Sequence, residues 1–439
     1  MSKAAKWSIS GLLLGVLIFL LSPSFNKLIS NFAFWNVKEQ SLYLTGSIAI
    51  VYMVMSMLLS VRFSFINNIS GGLDKAYIIH KWVGIWAFVF SVIHWFIETL
   101  FVDIYKLFFE LPPKIKGVSS ISDFAKSIYK IGNELAENAF YILVIVLVVA
   151  LIKRVPYHKF RYIHKIIPFL FLFIAYHSFT IQIKGVWFGS IGSYLLSAVI
   201  IIGVIAAVID LLQLIGFKHK VFAEIVKYER NEKNKTIDLV LKPAEPFEYT
   251  AGQYVFLKFC HSREPHPFSI AGYDKESNTL RFLIKELGDF TNELAVKIKK
   301  DDIITIEGPY GNFTFNDSRA QQIWVAGGIG FTPFAARLEY LVSLGKKVDN
   351  VDFFYSARGE NLYPELAELS EKAGVRFHYR DTCKDGRLNF DIIKEKIKDI
   401  KNISLWYCGP ASFGAALKRN AASCGISKKD IHYDSFDMR

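Results

Sequence analysis

The sequence predicts a multi-domain chain: a six-helix transmembrane bundle, then an antiparallel β-barrel, then an α/β domain of Rossmann-like layout. Three observations predict it. Six long apolar stretches crowd the first half of the 439 residues. Short alternating strands set off by turn residues begin near Val221. Beyond residue 316 a buried-strand run leads into a glycine loop and a helix. The domains are accordingly placed at 1–217, 218–316 and 317–439.

Crossing a bilayer takes about 20 largely apolar residues. Candidate spans lie at 7–25, 42–61, 77–102, 135–152, 162–183 and 186–215, and the fourth has its continuous apolar run confined to Ala139–Ile152. Lys153, Arg154, Lys159, Arg161 and Lys165 fall between spans four and five, and Lys218 and Lys220 follow span six. Basic residues concentrate in cytoplasmic loops, so both termini and everything after span six are expected in the cytosol of a multi-pass cell-membrane protein. The segment 103–134 is then an outward loop. Lys3 and Lys6 precede the first apolar stretch as in a signal peptide, but no A-x-A-like cleavage site follows, so an uncleaved first span is expected.

The net charge of +12 sits largely beside these apolar segments. No Arg/Lys tract interleaved with aromatics forms a nucleic-acid footprint, so the expected partner is the lipid bilayer. The four cysteines, Cys260, Cys383, Cys408 and Cys424, form no CxxC pair. That spacing argues against zinc, iron–sulfur clusters and a disulfide frame, and unpaired thiols suit a reducing compartment.

Four of the ten histidines lie on two spans: His80 and His94 on span three, His164 and His177 on span five. Ionisable residues at membrane depth are costly and point to function. Fourteen residues of helix rise about 21 Å and return to within about 40° of one face, so His80 and His94 share a side at two depths. The second pair is thirteen apart, about 140° out of phase, and Pro168 between them is the expected point of kinking or unwinding. Spans three and five run the same way through the membrane. His80 with His164 would therefore clamp an inner haem, and His94 with His177 an outer one. Taken singly, each of these residues reads better as a buried or interfacial histidine bonded to a neighbouring helix. Two similarly spaced pairs on parallel spans make the haem reading the stronger one. A proton relay would recruit carboxylates, and few lie at span depth, Glu98 and Asp210 among them.

The barrel carries His266-Pro267-Phe268-Ser269. Pro267 stiffens the chain, Phe268 can pack on a flat ring, and the Ser269 hydroxyl can bond a ring nitrogen. Alone, this tetrapeptide is equally a bulged strand. Ile284-Lys285-Glu286-Leu287-Gly288-Asp289-Phe290-Thr291 then places a cation before a turn and a helix start. Lys285, the Thr291 hydroxyl and the amides after Gly288 make a pyrophosphate seat.

With these residues the chain resembles the NADPH oxidase and ferric reductase superfamily, in its bacterial-type form. The histidine quartet matches that family's paired histidines on spans three and five. His266–Ser269 matches its His-Pro-Phe-Thr/Ser flavin motif. Ile284–Thr291 matches Ile-Arg-x-x-Gly-Asp-Trp-Thr, with Lys285 in place of Arg and Phe290 in place of Trp; a lysine gives up bidentate contact. The resemblance implies FAD on the barrel and two b-type haems in the bundle.

Glu307-Gly308-Pro309-Tyr310-Gly311 forms the turn that closes the barrel. Then Ile323–Val325, a buried strand, leads into Gly327, Gly328, Gly330, Thr332 and Pro333, whose amides would meet a pyrophosphate, although the spacing departs from G-x-G-x-x-G. Ser356 and Arg358 follow the strand Val351–Tyr355 and would grip an adenosine 2′-phosphate, favouring NADPH over NADH. The resemblance places Cys408-Gly409-Pro410 near the nicotinamide, with Cys408 shaping the hydride-transfer pocket, and Phe436 over the flavin ring. By itself Cys408 is equally a small buried hydrophobe.

Expected from all this is electron transfer from cytosolic NADPH through FAD and two haems to O2, giving superoxide. A ferric-chelate reductase is the alternative, and a six-span channel with a flavin-like regulatory domain a distant one. Eukaryotic NADPH oxidases commonly carry a histidine where this chain has Glu98, and an arginine near the outer end of span two, where none is found. No EF-hand loop occurs, and no obligatory regulatory subunit is expected.

Overall fold

The computed structural model describes residues 2–434 except 114–120, 153–154, 156, 263, 360–362 and 398. The chain forms two compact units, Met1–Ile215 and Gly216–Arg439.

The first unit is helical. Its helices are α1 (Lys3–Leu20), α2 (Pro23–Ser30), α3 (Phe34–Ser60), α4 (Ser64–Ser70), α5 (Leu73–Thr99), α6 (Phe101–Lys106), α7 (Asp123–Leu151), α8 (Tyr157–His164), α9 (Ile167–Gly185) and α10 (Ile191–Leu211). Six stretches are long and apolar enough to cross a membrane: α1, α3, α5, α7, the α8–α9 pair and α10. Their starts are written in the sequence. The hydroxyls of Ser2, Ser122 and Ser190 accept from the amides of Ala5, Ala125 and Ser193 at 3.1, 3.2 and 3.1 Å, which satisfies otherwise orphaned donors. Close packing needs small residues: a Cβ on Gly15 would stand 2.6 Å from the Ile48 backbone, so α1 lies hard against α3. Leu13, Ile145, Ile201 and other large apolar side chains point out of the bundle, as contact with lipid tails requires.

All six spans depart from the expected bounds, and the last three show why. The fourth helix begins at Asp123, inside the stretch expected as an outward loop, because its polar first turns are helical without being apolar. The fifth is broken: α8 ends at His164 and α9 starts at Ile167, with Pro168 in its first turn. Proline has no N–H for the His164 carbonyl, so the helix stops and restarts just before it. The sixth starts at Ile191. Before it, Trp187 is buried and donates to Ser24 Oγ at 2.8 Å.

The second unit opens with seven antiparallel strands: β1 (Lys220–Asn231), β2 (Thr236–Pro243), β3 (Tyr254–Lys258), β4 (His266–Ser269), β5 (Gly272–Asp274), β6 (Thr279–Lys285) and β7 (Ile303–Tyr310). Their order is β4-β3-β7-β1-β2-β6-β5. The first and last in that order, β4 and β5, are separated in the chain only by Ile270 and Ala271, so the sheet must curl round into a barrel. Ile270 N bonds to Gln253 O and Ala271 N to Arg281 O, which carries the closure from one edge to the other. Alternating side chains such as Ile237, Leu239, Leu241, Leu280, Phe282 and Ile284 fill the inside. Helix α11 (Asp289–Lys297) lies between β6 and β7.

Five parallel strands follow: β8 (Gln321–Gly327), β9 (Val351–Ala357), β10 (Arg376–Asp381), β11 (Ile403–Cys408) and β12 (Ile431–Asp434), ordered β10-β9-β8-β11-β12. Helices α12 (Thr332–Ser343), α13 (Leu366–Lys372), α14 (Phe390–Lys394) and α15 (Ala411–Ser423) accompany them. Strand β9 is buried along its whole length, as in a parallel sheet covered on both faces. Trp324, Phe334, Phe353 and Trp406 pack one face, and Val325, Phe354, Leu405 and Leu417 the other.

Candidate functional site

Helix α5 carries His80 and His94, α8 carries His164, and α9 carries His177. The structure brings them together in pairs. The ring centres of His80 and His164 are 6.0 Å apart, and those of His94 and His177 are 6.4 Å apart, with planes crossed at 69° and 73°. The helix break ahead of Pro168 removes the phase conflict on span five, because the two histidines sit on separate helices.

A third helix orients one ring of each pair. His80 Nδ1 lies 3.0 Å from Ser56 O and 3.1 Å from Ser56 Oγ. His94 Nδ1 lies 3.1 Å from Leu42 O and 3.2 Å from Thr45 Oγ1. A carbonyl can only accept, so Nδ1 carries the proton in both rings, and the lone pair is on Nε2. Ser56, Leu42 and Thr45 all belong to α3.

These rings fit an iron. A metal–nitrogen bond of about 2 Å on each side, plus about 1 Å from nitrogen to ring centre, separates two axial imidazoles by about 6 Å. His164 Nδ1 and His177 Nδ1 are buried without a hydrogen-bond partner. Such an atom costs about 1–3 kcal/mol, which coordination at that nitrogen would offset.

Lys38 was not among the expected residues. Its ammonium lies 3.0 Å from Glu98 Oε2, four residues beyond His94. The apolar run of span two begins near residue 42, but α3 starts at Phe34 and carries Lys38 into the bundle.

In the barrel, His266–Ser269 form β4, paired with β3. Ser269 Oγ is buried and has no hydrogen-bond partner, which fits a bound ring that supplies one. His266 stacks face to face on Phe290, with centres 3.4 Å apart, a contact that sequence reading did not foresee. Lys285 ends β6, and no ion pair holds its ammonium among the described residues. Thr291 is differently employed than expected: its hydroxyl accepts from Leu287 N at 2.9 Å and Gly288 N at 3.1 Å. It closes the turn at the start of α11, so its hydroxyl is already committed to the backbone.

In the parallel sheet, register aligns the expected residues at one edge. Gly327 is opposite Ser356, Ala326 opposite Cys408, and Cys408 opposite Asp434. These are carboxyl ends of strands, where open α/β sheets bind ligands. Gly328, at φ +57°, faces open space, whereas a Cβ on Gly330 would stand 2.4 Å from Cys408 O. Gly330 thus serves packing of the glycine loop against the Cys408–Gly409 turn. Thr332 and Pro333 are buried in the first turn of α12. Arg358 is exposed just past β9. Burial, with Asp434 beside it, pushes the Cys408 thiol well up, so it stays neutral. Phe436 lies outside the described residues.

Comparison with known proteins follows the same division. The family of ferric reductase like transmembrane components matches residues 45–175, and the FAD-binding domain family matches residues 224–314. The reductase component of propane 2-monooxygenase from Mycolicibacterium smegmatis is 30% identical over 230 residues, 46% of this chain and 64% of that protein. Flavohemoprotein A of Dictyostelium discoideum is 25% identical over 237 residues, 48% of this chain and 59% of its own. The chain thus spans between 59% and 64% of the curated relatives it matches first. Among solved structures, the flavohem-like FAD/NAD-binding domain of nitric oxide dioxygenase from Vibrio cholerae is 22% identical, covering 49% of this chain and 97% of that one, with a TM-score of 0.42. With a ferric reductase like transmembrane component ahead of a FAD-binding domain, the chain has the architecture of the NADPH oxidase and ferric reductase superfamily.

Proposed function

We propose that the chain is a transmembrane oxidoreductase that passes electrons from cytosolic NADPH, by way of FAD and two b-type haems, to O2 on the outer face of the cell membrane, giving superoxide. The observation that carries this reading is the double pairing of imidazoles, at 6.0 and 6.4 Å. Bound FAD accepts a hydride and releases electrons singly, and bound haem carries them one at a time.

His80 with His164, and His94 with His177, would hold the irons. Acceptors on α3 keep Nδ1 of His80 and His94 protonated and so aim Nε2 as the ligand. Ser269 would bond the flavin ring, and Lys285 with the α11 amides its pyrophosphate. Gly327 and Gly328 would admit the phosphates of NADPH, Ser356 and Arg358 its 2′-phosphate. Cys408, a neutral thiol, would shape the nicotinamide pocket without acting as a nucleophile. The basic residues between spans four and five support a cytosolic second unit.

A bare Glu98 would favour a cationic ferric chelate as acceptor. Lys38 neutralises it, which supports O2 over the chelate. The test is spectroscopic first. Reduced-minus-oxidised spectra of the purified chain should show two b-type haems, and His94→Leu should lose one of them; full haem content in that variant would sink the pairing. NADPH-driven cytochrome c reduction should be blocked by superoxide dismutase. Insensitivity, with rapid ferric-chelate reduction, would reassign the acceptor.

A further inference from the structure

A second set of metal-ligating side chains lies on the barrel. Cys260 Sγ, a ring nitrogen of His261 and a carboxylate oxygen of Asp302 all fall within 4.8 Å of one another. The backbone puts them there. Strands β3 and β7 pair with Leu257 opposite Ile306 and Lys258 opposite Thr305. Continued past the strand end, the same register brings His261 opposite Asp302. A turn closed by Ser262 N donating to Phe259 O at 3.0 Å holds Cys260 and His261 at its centre.

Asp302 is fixed from its own side. Its Oδ2 accepts from Lys299 N at 2.9 Å and stands 3.5 Å from His261 Nε2. The Asp302 side chain is 12% exposed and that of His261 44%. One ligand is therefore anchored, and the other two face solvent, where an ion can enter. His261 and Asp302 also line a cavity with Phe290, Glu293 and Lys297, which leaves space for a water.

Bonds of about 2.0–2.3 Å to nitrogen, oxygen and sulfur, in a tetrahedral arrangement, hold ligand atoms about 3.5 Å apart. His261 Nε2 and Asp302 Oδ2 already stand at that value, 3.5 Å apart, and no separation in the group exceeds 4.8 Å. A thiolate, an imidazole and a carboxylate together select an ion of borderline softness such as Zn2+. Mg2+ and Ca2+ require oxygen ligands throughout.

We propose that Cys260, His261 and Asp302 form a Zn2+-binding site, completed by one water. Binding makes one bond from each side chain to the metal and releases the thiol proton to solvent. The ion ties the turn that leads into His266–Ser269 to the start of β7, and so braces one end of the barrel.

The test is differential alkylation of the full chain, purified with its cofactors, reduced and stripped of loose metal with a chelator. Cys383, the other exposed thiol, is the internal control. Micromolar Zn2+ should slow alkylation of Cys260 at least about tenfold and leave Cys383 unaffected, while Mg2+ should protect neither. His261→Ala and Asp302→Asn should each weaken the protection at least about tenfold. His261→Ala alters a half-exposed ring, so the comparison stands even if Asp302→Asn unfolds. Equal alkylation of Cys260 with and without Zn2+ overturns the site. So does undiminished protection in His261→Ala, which would mean that the thiol alone binds.

Discussion

Each span-three imidazole donates to a carbonyl and a hydroxyl of α3, and the two arrangements are eleven residues apart, at Ser56 and Thr45. A hydrogen-bond acceptor on Nδ1 makes the other nitrogen a stronger ligand. If the pairs hold haem as proposed, Thr45→Val should therefore keep both haems and raise the potential of one, as read by redox titration; loss of a haem would mean that the hydroxyl holds the ring itself. Ser269 has the opposite problem, a buried hydroxyl with no partner. If it bonds the flavin, Ser269→Ala should weaken FAD binding about tenfold, measured by flavin retention on dilution. The four histidines were legible in the sequence because residue type and near-equal spacing along two apolar spans revealed them. Ser56, Thr45 and Lys38 were not, since they are ordinary polar residues until another helix is laid beside them.

At the scale of elements, span five shows how local chemistry produces a tertiary result. A continuous helix would have turned His164 and His177 about 140° apart. The break ahead of Pro168 lets each face its own partner. The parallel sheet is held at its other end by Asp352, which is buried in β9. Burial raises its pKa, but hydrogen bonds from His378, both arms of Arg376 and Gln321 outweigh that and hold the carboxyl well below the usual carboxylate range. A depressed folded pKa stabilises at pH values above the unfolded value of about 3.9, and the benefit fades as pH falls through the folded one. Asp352→Asn should cost about 2–3 kcal/mol at neutral pH. In thermal melts the gap from the natural chain should narrow below about pH 3.9; a constant gap would mean that the charge is not responsible.

In the molecule as a whole, the barrel and the parallel-sheet domain are joined by a polar clasp. Arg281 of β6 holds Asp238 through two bonds of 2.9 Å and donates to Tyr363 Oη at 3.0 Å. Tyr363 in turn donates to Glu339 of α12 at 2.9 Å. A Cβ on Gly272 would stand 2.3 Å from Glu339, so the two domains meet closely. Small misplacements of reacting groups are costly to rate. Arg281→Ala should thus slow flavin reduction by the nicotinamide nucleotide about tenfold or more in stopped flow, with FAD content unchanged. Loss of FAD instead would show that Arg281 supports the barrel rather than the docking.

The sequence by itself determined the six apolar spans, the order of the modules, the four imidazoles and the flavin and nucleotide motifs. Those properties are local: apolar length, helical rise, strand alternation and turn chemistry act along a single stretch of chain. Only the tertiary structure decided which groups of α3 hold the span-three imidazoles, that Lys38 neutralises Glu98, and that Thr291 closes a turn. It also set Cys260 and His261 beside Asp302, three strands and a helix further along the chain. Such meetings depend on packing between distant segments, and spacing along one stretch carries no record of its partner across the fold.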